Sequence, residues 1–158
     1  MGNMDLTLHV QDYKLNIRAT GIIIHNGKVL LHKCSSSEHY ALVGGRVKIG
    51  EDSATTLKRE IQEEMGKDIE IIGYISTIEN FFEMNGEKYH EIMFVHKIEF
   101  SNEEDKKIES TIKNIEGENV QYEWIEIRKI DECNVLPKVI KSILKENIYP
   151  THKINNDL

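Results

Sequence analysis

Two spacings of apolar residues divide the chain. Segments rich in β-branched and aromatic residues occupy 13–31, 40–43, 69–83, 88–100 and 120–127, and these read as strands. Between the second and third, Ala54, Leu57, Ile61 and Met65 recur at helical spacing; with Glu60 at zero they fall between about 60° and about 140° on a helical wheel. Asn26-Gly27 and Asn85-Gly86 supply the positive φ values of type I′ turns. They predict one hairpin within 13–31 and a longer, bent one joining 69–83 to 88–100. Asp52 or Ser53 is placed to cap the helix and Gly66 to end it, which predicts a helix over 53–65. A second helix is predicted over 135–144, with Pro137 in its first turn. A weak amphipathic helix is expected near 108–115, inside a polar excursion over 101–119. Strands interleaved with helices predict a mixed α/β domain whose helices cover a curved sheet. It is read as a single domain over 1–149, with a polar tail, 150–158, expected to fray.

Composition narrows the class. The chain has 158 residues, 39% hydrophobic and 30% charged, which is ordinary for a folded globular protein and excludes disordered and collagen-like classes. A net charge of −7 argues against gripping a nucleic-acid backbone. Cys34 and Cys133 form neither a C-x-x-C pair nor a disulfide framework. The first ten residues lack a signal-peptide pattern, Leu6 stands where myristoylation expects Ser or Thr, and no apolar run reaches 18 residues. A cytoplasmic location is the expectation.

The predicted helix carries an electrostatic conflict. Glu60, Glu63 and Glu64 share an arc of about 100°, with Glu64 beside the apolar stripe. Like charges at these spacings cost roughly a few tenths of a kcal/mol per pair on an exposed helix, and more beside a core. The macrodipole also disfavours anions near a helix C-terminus. A solvated face, salt-bridged through Lys58 and Arg59, relieves the conflict. A hard divalent cation such as Mg²⁺ relieves it too. Helix geometry alone leaves both readings open.

The upstream residues add a constraint. From Gly45 the chain runs five residues to Glu51, then seven to Arg59-Glu60-Ile61-x-Glu63-Glu64-x-Gly66. This stretch resembles the Nudix box, the signature of the Nudix hydrolases. Seven identities at fixed spacing arise at a given start with odds on the order of 10⁻⁸. Two scaffold positions depart from the pattern: Lys67 stands where an aliphatic residue is usual, and Val43 where a proline commonly precedes the glycines.

The resemblance implies an α/β fold, a Nudix-type α/β/α sandwich with a curved mixed β-sheet between helices. It implies hydrolysis of a pyrophosphate bond in a nucleoside diphosphate linked to another moiety X. Mg²⁺ or Mn²⁺ would be held by Glu60, Glu63, Glu64 and the carbonyl of Gly45. Glu60 or a later acid would orient the attacking water, and Arg59 and Glu51 would position the helix.

Outside the box, Glu91 is the first choice for that later catalytic acid; an exposed strand glutamate is the alternative reading. Arg18 and Arg46 are candidates to bind phosphate, since guanidinium forks suit its oxygens. Glu79, His90, His96, Phe81, Phe82 and Tyr89 are further candidates, while Trp124 and Tyr122 are expected in the core. The expected partner is a small nucleotide or nucleotide derivative, with no nucleic-acid polymer and no membrane, and a homodimer is left open. The substrate-specific motifs of ADP-ribose, NADH and dinucleoside polyphosphate enzymes are missing. A non-catalytic nucleotide-sensing domain is the alternative function, and the complete set of glutamates argues against it.

Overall fold

The computed structural model describes residues 2–34, 38–117, 119–147 and 149–158. Elements run β1 (Thr7–Val10), β2 (Tyr13–Ile22), β3 (Ile24–His25), β4 (Lys28–Cys34), β5 (Tyr40–Arg46), α1 (Ser53–Met65), β6 (Ile69–Met84) and β7 (Glu87–Phe100). They continue through α2 (Glu103–Lys106), β8 (Ile112–Lys113), β9 (Val120–Glu126), a 3₁₀ segment (Ile127–Glu132), α3 (Val139–Glu146) and β10 (Thr151–Asn156).

Among the described residues the strands form one mixed sheet in the order β10-β6-β7-β2-β5-β4-β9-β8, with β1 on β2 and β3 on β4. The β2–β7 and β6–β10 pairs are parallel and the rest antiparallel. The middle strand, β5, changes partner part-way. Its first residues, through Leu42, pair with β4, and its later ones, Val43 to Arg46, pair with β2.

Two apolar clusters lie on the two sides of the sheet. Leu57, Ile61 and Met65 of α1 pack with Ala19, Val43, Ile98 and Tyr122, while Ile140, Ile143 and Leu144 of α3 pack with Ile22, Leu42, Ile78 and Val95. The expected α/β/α sandwich is therefore present. Leu57 and Ile61 are fully buried, each worth about 1.5–3 kcal/mol of transfer free energy. α1 keeps its predicted bounds because both signals are local. Asp52 accepts from the Thr55 amide at 2.7 Å, and Gly66 takes the left-handed conformation at φ 68°.

Elsewhere the fold departs from the sequence reading. Asn26 and Gly27 do turn the chain with positive φ, yet only β3 pairs with β4 across that turn. β2 is instead occupied on one edge by β7 and on the other by β1 and β5. The expected helix near 108–115 is replaced by the short α2 and by β8, because Ile112 pairs with Tyr122 and is buried there. The second helix begins at Val139, past Pro137. A residue before proline avoids the helical region, and Leu136 instead donates its amide to the Tyr40 carbonyl. The polar tail is not frayed: Thr151–Asn156 adds a parallel strand to β6, with its polar side chains paired to those of β6. Trp124 and Tyr122 sit on the α1-side core as expected.

Candidate active site

The site lies where β5 passes from β4 to β2. A cavity of about 280 Å³ opens at this seam, lined by Arg18 of β2, His32 of β4, Gly45 and Arg46 of β5, and Glu60 and Glu64 of α1, and completed by Asp5, Leu42 and Gly44. Gly44 is required by the backbone beside it, and Gly45 by the place that the Glu60 carboxyl occupies. A Cβ on Gly44, whose φ is +144°, would meet the Ala19 carbonyl oxygen at 2.1 Å; one on Gly45 would meet Glu60 Cδ at 2.2 Å. The bare backbone of Gly45 lets the Glu60 carboxyl lie against it.

Arg59 organises the acidic residues. Its Nε donates to Glu51 Oε2 at 2.9 Å and its Nη2 to Glu51 Oε1 at 3.0 Å, a bidentate fork. Its Nη1 reaches Glu60 Oε1 at 2.8 Å and Glu63 Oε2 at 3.2 Å, and Nη2 also donates to the Arg46 carbonyl at 3.2 Å. One guanidinium thus ties the loop before α1, the end of β5 and two glutamates together. The guanidinium holds the Glu51 carboxyl below the ordinary carboxylate range.

Glu64 has a different partner. The buried Tyr122 hydroxyl donates to Glu64 Oε2 at 2.8 Å and accepts from Asn114 Nδ2 at 3.1 Å. Burial pushes the Glu64 carboxyl up to about 7, against the lowering effect of that hydroxyl. Burial raises Glu60 also, and Arg59 only partly offsets it. His32 of β4 lies against the Tyr122 ring, and burial and the nearby Arg18 charge lower its imidazole to about 4, so it is neutral at physiological pH.

The NUDIX domain family matches residues 15–145 of the chain. The chain belongs to the Nudix family. It is a pyrophosphohydrolase of the Nudix type. Solved structures agree on the fold. A crystal structure of the MutT protein from Bacillus halodurans is 18% identical, with a TM-score of 0.60 over 87% of this chain and 89% of that one. A UDP-X diphosphatase is 15% identical, with a TM-score of 0.59 over 87% of this chain and 66% of that one. An ADP-ribose pyrophosphatase from Streptococcus suis is 11% identical, with a TM-score of 0.54 over 87% and 98%. At these identities the likeness is one of fold. No curated protein matches the chain. Among the described residues, no helix of this Nudix protein is long and apolar enough to cross a membrane.

The Nudix-box residues divide into two groups. Gly45, Glu60 and Glu64 line the cavity, whereas Glu63 is not part of its lining and pairs with Arg59. Among the described residues, no three His, Cys, Asp or Glu side chains converge as a ready-made metal cage. The donor set still fits a hard cation. Carboxylate oxygens of Glu60 and Glu64 face one cavity, their ionisation is disfavoured by burial, and the space beside Gly45 admits no side chain.

Outside the box, Arg18 and Arg46 both reach the cavity, Arg46 with Asp5 at 3.9 Å. Glu91 does not. It is buried on β7 at 4% exposure, rather than exposed at a strand start, and its carboxylate faces Arg18. His90 packs at a tilt against Phe81, Phe82 stacks on Tyr89, His96 bonds Ser53 Oγ, and Glu79 bonds His152; none of them lines the cavity. Sequence reasoning passed over His32, Tyr122 as a partner of Glu64, and Asp5. Their only signal is cross-strand register, such as His32 opposite Tyr122, and register emerges only from the folded sheet.

The departures Val43 and Lys67 are accommodated. Val43 is fully buried in the α1-side core, and Lys67 pairs with Asp105 of α2 at 2.9 Å.

Proposed function

We propose that this Nudix protein hydrolyses the pyrophosphate bond of a small nucleoside diphosphate derivative and requires Mg²⁺ or Mn²⁺ to do so. The observation that carries this reading is the polarity of the cavity, to which α1 contributes Glu60 and Glu64 and the strands β2 and β5 contribute Arg18 and Arg46. An acidic wall suits cations and a basic one suits phosphoryl oxygens, so a metal-neutralised diphosphate satisfies both.

Glu60, Glu63 and Glu64, with the Gly45 carbonyl, would hold the divalent ions. When bound, such ions act as Lewis acids, lower the pKa of a coordinated water and neutralise the leaving phosphate. Arg18 and Arg46 bind and orient the phosphates. Glu60 orients the water that attacks phosphorus in line and takes up its proton. Arg59, held by Glu51, keeps the glutamates at fixed positions through the reaction. A water adds to one phosphorus, the bridging oxygen leaves with the other, and two phosphorylated products result.

The cavity volume bears on the substrate. At about 280 Å³ it sits at the lower bound of typical ligand pockets, enough for a diphosphate and its ions, so the nucleoside or X group extends along the surface outside. A net charge of −7 favours a small metal-neutralised anion over a polymer.

A panel of nucleoside triphosphates, sugar-nucleotides and nucleoside diphosphate conjugates, incubated with Mg²⁺ or Mn²⁺, tests the reading by product analysis. Cleavage at a phosphoanhydride, lost in Glu64→Gln, is the expected outcome. Tight nucleotide binding without turnover across the panel would instead assign a sensing domain.

A further inference from the structure

A row of five polar side chains crosses the sheet, and four of them are shut away from solvent. Thr7, Asn16, Glu91, Asn80 and Asn155 stand opposite one another, in register, on β1, β2, β7, β6 and β10. Asn16, Asn80, Glu91 and Asn155 are each exposed by 6% or less. Asn155 Nδ2 donates to Asn80 Oδ1 at 3.0 Å, and Asn80 Nδ2 donates to Glu91 Oε1 at 3.3 Å. From the other side, Thr7 Oγ1 donates to Asn16 Oδ1 at 2.9 Å.

Sheet packing does not call for this row. Two residues along the same strands, Met93 and Ile78 are apolar and buried against the α3 side. Burying amides and a carboxylate costs stability unless they find partners, and apolar side chains would have served the fold. The hydrogen bonds that run from Asn155 through Asn80 lead to a functional group. Glu91 Oε2 faces Arg18 Nε at 4.0 Å, and Arg18 is a wall of the cavity. A guanidinium is a rigid fork with five donors, so engaging it from the Nε side leaves its terminal amino groups for a ligand.

We propose that the row is a positioning device: Asn155 and Asn80 fix Glu91, and Glu91 holds Arg18 so that its terminal amino groups receive a phosphoryl group of the substrate. This deepens the proposed function and rests on the cavity being a pyrophosphate site. It makes Glu91 and the two asparagines positioning residues and extends the substrate site to a strand, β10, that touches no part of the cavity.

Calorimetric titration of the full chain with inorganic pyrophosphate, in the presence of Mg²⁺, tests it without requiring turnover. Asn80→Ala and Asn155→Ala are each expected to raise Kd about 3- to 10-fold, as the loss of one hydrogen bond in the chain would. In an Arg18→Ala background neither is expected to raise it further. An unchanged Kd in the single variants overturns the proposal, and so do losses that persist in full without Arg18, because a merely structural role would act independently of it. Absence of pyrophosphate binding to the unaltered protein overturns it as well. Thermal melts identify any variant that fails to fold, and Asn155→Ala, at the sheet edge, carries the cycle if Asn80→Ala does not survive. A protein that shows this coupling yet cleaves no nucleotide would refute the proposed activity alone; one that cleaves nucleotides with unaltered Kd in the row variants would refute the row alone.

Discussion

The two walls of the cavity are built in opposite ways. The acidic wall comes from contiguous chain, Gly45 to Gly66, where one loop and one helix set the spacing and a single guanidinium, Arg59, fixes the side chains. The basic wall takes Arg18 and Arg46 from two strands, beside the neutral His32 of a third, with support reaching back to Asn155. A local wall depends on helical period and caps; a dispersed wall depends on the register of the whole sheet. Damage to the first should therefore fall on the chemical step, and damage to the second on binding.

The largest expected effect tests the acidic wall. Glu64→Gln removes a charged donor, and we expect kcat to fall by about 10²- to 10³-fold with KM little changed, measured by steady-state kinetics on whichever panel member is cleaved. Chelation should silence the unaltered enzyme, and added Mg²⁺ should restore it. Gly45→Ala ranks next. Its Cβ would stand 2.2 Å from Glu60 Cδ, so the carboxylate must move, and a shift of that size costs about 10²-fold in rate. Circular dichroism should find the fold intact, and retention of full activity would break the account of why glycine stands there.

Arg59→Lys probes whether the fork or only the charge matters. Lysine cannot grip Glu51 from two atoms, so about a 10-fold loss in kcat/KM is expected. Arg18→Ala moves to the other wall: KM should rise about 10-fold while kcat stays nearly constant. A fall in kcat as large as that of Glu64→Gln would erase the contrast between the walls.

The smallest effect is a pH dependence of stability. The His32 pKa is about 4 when folded, below its ordinary value of 6.5, so between those limits the unfolded chain binds the proton more readily. Its contribution to stability is present above pH 6.5 and is lost as pH falls through that window towards 4. His32→Asn should flatten the melting temperature over that range, and an unchanged profile would contradict the burial described here.

How much of this was legible beforehand follows the same division. Helix α1 could be bounded to the residue because Asp52, Gly66 and the apolar stripe act within one or two turns. The hairpin at Asn85-Gly86 was legible for the same reason, and with it the general α/β architecture. β1 and β10 were not, since Thr151–Asn156 is polar and becomes a strand only when Asn80 and Ser76 are there to satisfy it. The helix expected near 108–115 did not form because pairing with β9 outweighed a weak period. Arg18 and Arg46 were singled out by the chemistry of guanidinium, but nothing local indicated that they stand opposite each other across β2 and β5. His32 had no local signal at all.

The partner change within β5 has a consequence for how such a site can diversify. Because side chains alternate sides along a strand, one residue gained or lost between Leu42 and Gly45 would leave one half of β5 in place and turn the other half over. Arg46 would then exchange its face of the sheet for the one that Gly45 now presents to Glu60, although every residue of both walls was still encoded. Substitutions can retune this cavity one contact at a time; a change of length at its seam disassembles it in a single event.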